Sequence, residues 1–357
     1  MQHWICVLTF VVLFSTIVRR VFAIASVTMT RLSTANRPLV FFANGIGDYI
    51  MGLPAIRALV SLFPDRLTLV CCSRMNEVFY ADLRLRRVVE TTILYHEGQR
   101  DRTFEFDVDA IVAVVRDCDL FVSLNPWHAE CVDELISKLS PANSLGFSEL
   151  FGEVVPLDFG KHAADLTFDI PKRINPALRF EEFASPPTLS GKAQEVAIRI
   201  KEIAGTRKIL IVHADSKPEK MWLKERFHRV LSRFLGDHLD FIALLVGWDS
   251  LGLDKGQDRV ISCCRLPLAL SIGVISIGDL FCGIDSCMLH AADFLRVPGV
   301  GLFGPTSPHQ FGFRLARHVH IRGGESMADI CEDEVLEALE TMAEGGSYLR
   351  GVVPRER

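Results

Sequence analysis

Residues 279–308, DLFCGIDSCMLHAADFLRVPGVGLFGPTSP, decide how the rest of the chain is read. The apolar run Leu280-Phe281-Cys282 predicts a buried strand, and Gly283-Ile284-Asp285-Ser286 predicts a turn. An Ala-rich segment from about Cys287 to Leu295 predicts a helix. Val300 to Phe303, after Pro298-Gly299, predicts a second strand that ends in Gly304-Pro305-Thr306. Strand, turn, helix and strand make one βαβ unit. Its loops lie at the carboxyl ends of parallel strands, the edge at which open α/β sheets bind ligands. The turn also leaves backbone N–H groups free at a helix N-terminus, which suits a phosphate.

The same alternation continues towards the N-terminus. Lys208 to Val212 predicts a strand, followed by the loop His213-Ala214-Asp215-Ser216-Lys217-Pro218-Glu219-Lys220-Met221-Trp222 and a helix from Lys224 to Phe234. Phe241 to Val246 predicts the next strand, ending at Gly247-Trp248-Asp249, with Trp248 either stacking on a base or filling core, the second favoured. The run from Leu266 to Ile277 contains Gly273 and β-branched residues, so a helix there must take its shape from packing. Further back, Leu39 to Phe42 predicts the first strand, and Ala43-Asn44-Gly45-Ile46-Gly47-Asp48 a loop. The following helix carries Ile50, Leu53, Ile56 or Arg57, and Val60 at helical spacing and stops before Pro64, with Pro54 expected to disturb its early turns. Leu67 to Cys72 and Val88 to Tyr95 read as strands, Val78 to Leu85 as a short helix, and Ala110 to Val115 as a candidate helix. Leu120 to Leu124 reads as a strand that leads into Asn125-Pro126-Trp127-His128. This βαβα order implies parallel, doubly wound sheets.

At 357 residues the expectation is about two domains. Prolines accumulate at 171, 176, 186 and 187, which marks 171–192 as the linker between a first domain at 37–170 and a second at 193–325. Residues 326–357 are expected to form an amphipathic helix, with Val335, Leu336, Leu339 and Met342 on one face, and a tail. Residues 1–36 are an apolar N-terminal extension. Ile5 to Val18 is short for a membrane span, and Arg19-Arg20 follows the apolar run rather than preceding it, the reverse of a signal peptide. An unusual signal or anchor, a membrane-associated helix, and translated sequence upstream of a start at Met29 remain as readings, with the last favoured. Arg31 to Arg37 reads as a flexible lead-in.

A net charge of −5 provides no basic field for nucleic acid. The ten cysteines include no C-x-x-C and no zinc-ligand spacing, so they read as reduced, mostly buried thiols and no metal site is expected.

Two loops carry candidate chemistry. Asp48, between glycines and a helix, is placed to accept a proton from an attacking hydroxyl, or to cap the helix, and the residues alone favour neither. G-x-G-D lacks the third glycine of a dinucleotide fingerprint. Lys217 and Lys220 read, as lysines ordinarily do, as solvated loop charges. His290 either contacts phosphate or packs.

Asp285, Ser286, His290, Ala292, Val297, Pro298 and Leu302 to Thr306 resemble the C-terminal signature of the heptosyltransferases of glycosyltransferase family 9. Gly45 to Leu59, G-x-G-D-x-x-x-x-x-P-A-x-R-A-L, resembles that family's acceptor-side loop and first helix. The family usually has Gly where this chain has Cys287, which bears on how closely a phosphate approaches that turn.

The resemblance implies a GT-B architecture, two Rossmann-like domains facing across a cleft. It implies inverting transfer of a sugar, heptose-like, from a nucleotide-diphosphate donor to a glycan or lipopolysaccharide-type hydroxyl, with Asp48 as the base. It puts Lys220, Asp249, Asp285, Ser286, Cys287, Met288, His290, Gly304 and Thr306 on the donor, and Gly45, Gly47, Trp127 and His128 on the acceptor side. Lys217 stands in reserve for Lys220, and Asp254 for Asp249 at the donor ribose. Asp285 is expected to meet sugar hydroxyls and cap the helix, and the last helix to cross back to the first domain. The implied partners are a nucleotide sugar, ADP-heptose first, and a glycan or lipid-linked glycan. No tightly bound cofactor or divalent metal is expected. The setting is cytoplasmic, with peripheral contact at the inner membrane face. A catalytically inactive nucleotide-sugar-binding subunit and a GT-B-like nucleotide-sugar epimerase are the competing readings.

Overall fold

Two six-stranded parallel sheets, each with the same strand order, organise the chain. The computed structural model describes residues 31–96, 103–127, 129–256 and 258–345. The extension before residue 31, the tail after 345 and His128 lie outside the described residues.

The first sheet is built from β1 (Pro38–Phe42), β2 (Thr68–Cys72), β3 (Arg87–Thr91), β6 (Leu120–Ser123), β7 (Asn143–Gly146) and β8 (Glu153–Val154), in the order β3-β2-β1-β6-β7-β8. A separate antiparallel pair, β4 (Leu94–His96) and β5 (Thr103–Glu105), stands beside it. The second sheet runs β11-β10-β9-β12-β13-β14, from β9 (Lys208–His213), β10 (Phe241–Leu245), β11 (Val260–Ser262), β12 (Leu280–Ile284), β13 (Gly299–Phe303) and β14 (His318–Arg322). In both sheets the order reverses next to the first strand, between β1 and β6 and between β9 and β12. Each sheet therefore has a topological switch point, the place at the carboxyl ends of the strands where open α/β sheets bind ligands.

The helices are α1 (Ile46–Leu62), α2 (Val108–Val115), α3 (Glu130–Leu139), α4 (Ala163–Ile174), α5 (Phe180–Phe183), α6 (Gly191–Ala204), α7 (Lys224–Asp237), α8 (Leu268–Ile275), α9 (Cys287–Phe294), α10 (Pro308–Phe311) and α11 (Glu332–Ala343). Strands buried on both faces read as continuous apolar runs, and their alternate residues enter different layers. Leu39 and Phe41 of β1 pack in an outer core near α2 and α3, whereas Val40 and Phe42 face inwards. Leu210 and Val212 of β9 face an outer core under α7 and α11, whereas Ile209 and Ile211 face inwards. The two inward faces share one core, filled by α1, α4, α8 and α9. Helix α1, with almost every residue from Tyr49 to Val60 buried, is apolar all round for that reason.

Several expectations need correction. Residues 31–37 are not a loose lead-in: Leu32 and Ala35 are buried, and Asp119 accepts the backbone N–H groups of Asn36 (2.7 Å) and Arg37 (2.9 Å). Val88 to Tyr95 is not one strand, because pairing with β2 ends at Thr91 and Leu94 onwards pairs with β5 instead. The segment after β2 forms one π-type turn, Asn76–Tyr80, rather than a helix to Leu85. Helix α1 runs through Pro54 unbroken, held by burial on all sides. Helix α11 does not cross back: it lies on the second sheet, tied to α7 by Arg229–Glu332 (2.6 Å) and Arg233–Asp333 (2.7 Å).

The Pro-rich stretch has Pro171 inside α4 and then carries α5. Its carbonyls are gripped from both sides: Arg57 of α1 donates to Phe183 (3.2 Å), and Arg296, beyond α9, donates to Ala184 (2.6 Å). Arg314 adds a two-pronged bond to Asp165 (2.8 Å each) and lies 3.7 Å from the centre of the Phe180 ring. These contacts set the two sheets so that their switch points face one another.

Candidate active site

The first switch point is fixed by two buried side chains that sequence reasoning gave no role. Asn125, at the end of β6, accepts from the N–H of Ala43 (3.0 Å) and donates to its carbonyl (2.8 Å), zipping the two strand ends together. The Tyr49 hydroxyl donates to the Phe42 carbonyl (2.7 Å) and accepts from the Cys72 N–H (2.8 Å). Burial raises the pKa of that phenol far above its ordinary value, so it stays a neutral donor. The segment 43–48 is thereby anchored to three strands. Gly45 is the N-cap of α1, and Asp48 is the third helical residue, half-buried in the first turn, where the helix dipole favours a negative charge. Ile46 and Trp127 are exposed at the same edge, 41% and 40%.

At the second switch point the structure gathers residues distant in sequence. Asp285, buried at the end of β12, accepts from Lys220 Nζ (2.6 Å) and from the Thr306 hydroxyl (2.7 Å), both at Oδ2. Lys220 rather than Lys217 makes this pair, because the turn Pro218–Lys220 brings it over the sheet edge. Asp285 does not cap α9. Ser286 does, its hydroxyl accepting from the Met288 N–H (3.2 Å), because a residue one step nearer the helix has the reach. Met288 is buried below the turn, and Gly304 packs against the backbone of Met327, where a Cβ would come within 2.9 Å of the nitrogen. Cys287 opens the helix with its thiol pushed up to about 11 by burial, so it adds no negative charge to the turn.

A third loop was only partly anticipated. Trp248 is 74% exposed and fills no core, since it follows Gly247 at a tight turn out of the sheet. Gly247 has φ +131, and a Cβ there would lie 2.0 Å from Asp215 Oδ1, so no other residue fits. Asp215 Oδ2 accepts from the N–H groups of Trp248 (2.8 Å) and Asp249 (3.3 Å), fixing the loop that carries Asp249. Asp249 itself accepts from the Leu251 N–H (2.8 Å) and stays exposed. Buried His213 donates from Nδ1 to the Val246 carbonyl (2.8 Å) beside it. The signal for Asp215 was its place just past a strand end, but its partner is 33 residues away.

The two switch points touch. A Cβ on Gly47 would stand 2.7 Å from Cδ2 of His290 and 3.7 Å from the Cα of Cys287, so the first turn of α1 lies directly on the first turns of α9. Burial lowers the His290 pKa to about 4 although Asp285 pulls the other way. His290 therefore stays neutral when folded and binds a proton when unfolded, so its contribution to stability is complete above about pH 6.5 and falls away as pH drops towards 4. Chemical denaturation of wild type should lose about 2–3 kcal/mol more than His290→Gln between pH 7 and 4.5. Parallel curves for the two proteins would contradict this account.

Two facing Rossmann-like sheets with the same strand order make up a GT-B-type architecture. Residues 162–338 match the family model "Glycosyltransferase family 9 (heptosyltransferase)". Residues 162–338 therefore carry a glycosyltransferase family 9 domain. The glycosyl transferase family 9 structure from Veillonella parvula DSM 2008 superposes with a TM-score of 0.73 at 19% identity, covering 87% of this chain and 98% of that one. The E. coli ADP-heptose LPS heptosyltransferase II gives 0.65 at 15%, covering 87% and 99%. E. coli heptosyltransferase WaaC with ADP gives 0.63 at 14%, covering 86% and 99%. No curated protein sequence matches the chain. Among the described residues no helix is long and apolar enough to cross a membrane, and no group of three or more His, Cys, Asp or Glu side chains is arranged to hold a metal ion.

Proposed function

We propose that the protein transfers a sugar, with inversion, from a nucleotide-diphosphate donor at the second switch point to an acceptor hydroxyl at the first. The observation that carries this reading is the direct contact between the two loops at Gly47 and His290, which puts a candidate base and a candidate anion cradle on either side of one junction. Asp48 takes the proton of the attacking hydroxyl as the new C–O bond forms on the face opposite the leaving group. The bond from the anomeric carbon to the diphosphate breaks, and the nucleoside diphosphate departs with the electron pair. Lys220 and the N–H groups at Ser286-Cys287-Met288 offset its growing charge, the type of interaction that lowers such a barrier most. Asp285 and Thr306 orient Lys220 and the donor sugar, Asp249 meets the ribose, and Trp127 with Ile46 lines the acceptor side.

E. coli heptosyltransferase WaaC, described with ADP and with ADP-2-deoxy-2-fluoro heptose, supports ADP-heptose as the first donor to try, with a glycan or lipid-linked glycan as acceptor. The free cysteines among the described residues support a reducing, cytoplasmic setting.

Thermal unfolding with ADP, GDP, UDP and their sugars tests the donor class. A true ligand at a hundred times its Kd stabilises by about 2.7 kcal/mol. Donor consumption that requires an acceptor supports transfer. Product from donor alone would favour an epimerase, and binding without turnover an inactive subunit.

A further inference from the structure

The imidazole of His290 touches both switch-point loops at once. Its side chain is only 6% exposed, and its Nε2 stands 3.8 Å from Oδ1 of Asp285, just outside hydrogen-bond range. Its ring edge lies against Gly47, where a Cβ would be 2.7 Å from Cδ2 and 3.2 Å from Nε2. On one side, Oδ2 of Asp285 already serves Lys220 and Thr306. On the other, Gly47 belongs to a turn that Tyr49 ties to β1 and β2.

Given the donor reading above, an incoming diphosphate competes with Asp285 for the Lys220 ammonium. A buried carboxylate that loses a charged partner must find another donor or carry a large desolvation penalty. The donor facing its second oxygen is His290. Shortening 3.8 Å to an ordinary hydrogen bond of about 2.9 Å moves the ring by roughly 1 Å. Gly47 has no side chain to absorb that motion, and Asp48 is the next residue in the same helical turn. Interiors packed this closely transmit such shifts rather than damp them.

We infer that His290 is a positioning residue that passes occupancy of the donor site to the acceptor loop 45–48, so that Asp48 is set for proton transfer only when a nucleotide sugar is bound. The inference rests on the donor site being where it is proposed, and the test separates the two. Amide hydrogen exchange is followed on the full chain with saturating ADP as the probe. In wild type, ADP should slow exchange at least about fivefold in two segments, 284–291 at the donor turn and 44–52 at the acceptor loop, as for coupling of ordinary size. In His290→Ala the first response should persist and the second disappear. His290→Gln, whose amide can donate to Asp285 and fill the space against Gly47, should restore it, which a purely space-filling role of the imidazole in folding would not predict segment by segment. Gly47→Ala, which crowds the contact from the other side, should also lose the response at 44–52, and it decides the matter if His290→Ala does not fold. Protection of both segments in the folded variants overturns the coupling but keeps the donor site. Protection of neither in wild type overturns the donor site and the coupling together.

Discussion

Asp48→Asn is expected to lower the rate of sugar transfer by about 10²–10⁴-fold while leaving donor affinity unchanged. The amide has nearly the same shape and retains hydrogen-bonding capacity, but it cannot accept the hydroxyl proton in the transition state. Asp48 lies in the first turn of α1, and Lys220, Asp285 and Thr306, proposed to face the donor, lie at the edge of the other sheet, so the substitution leaves their contacts intact. Steady-state transfer and a direct titration with the nucleotide sugar measure the two effects separately. A variant with wild-type turnover would remove Asp48 from the chemistry and leave it the role of a helix-end charge. A variant that loses donor binding as well would mean that the carboxylate belongs to the donor site.

Lys220→Met is expected to impair both folding stability and donor binding. Asp285 is 4% exposed at its side chain, and without the ammonium it keeps only the Thr306 hydroxyl at Oδ2. Breaking one partner of a buried pair leaves an uncompensated charge, which costs about 3–5 kcal/mol. Lys220 is 25% exposed, so water reaches its end of the pair and the lower value, about 3 kcal/mol, is expected. The double variant Lys220→Met, Asp285→Asn removes both charges and should regain most of that stability. It should not regain donor affinity, because the positive charge facing the diphosphate is still missing. Urea denaturation and an ADP titration of the four proteins complete the cycle. A loss of stability below about 0.5 kcal/mol in Lys220→Met would mean that the ion pair contributes no more than an exposed one.

Particular residues show where a linear reading stops. The strands beginning at Leu39, Lys208 and Leu280 were legible because both of their faces are buried, and the resulting apolar runs need no knowledge of partners. The loops after them were legible for the same reason: glycine, aspartate and serine at a strand end are a local signal. Trp248 was misread because a large aromatic after an apolar strand is ordinarily core, and only the turn at Gly247 directs it outwards. Pro54 was misread because its effect on a helix was judged in isolation, whereas α1 is enclosed by the shared core. The capping role assigned to Asp285 failed by one residue, a shift that periodicity cannot resolve but that the hydroxyl of Ser286 makes plain.

By itself the sequence determined the alternation of strand and helix, the two loops at strand ends, and the chemical types available there, since these follow from local backbone preference and burial period. Only the tertiary structure decided which groups meet. Lys220 and Asp285 are 65 residues apart, and Gly47 and His290 sit on α1 and α9, helices that follow strands of different sheets. Their contact depends on two switch points being turned towards each other by a core that both sheets share. Side-chain pairing across such distances is set by packing geometry, which has no period along the chain.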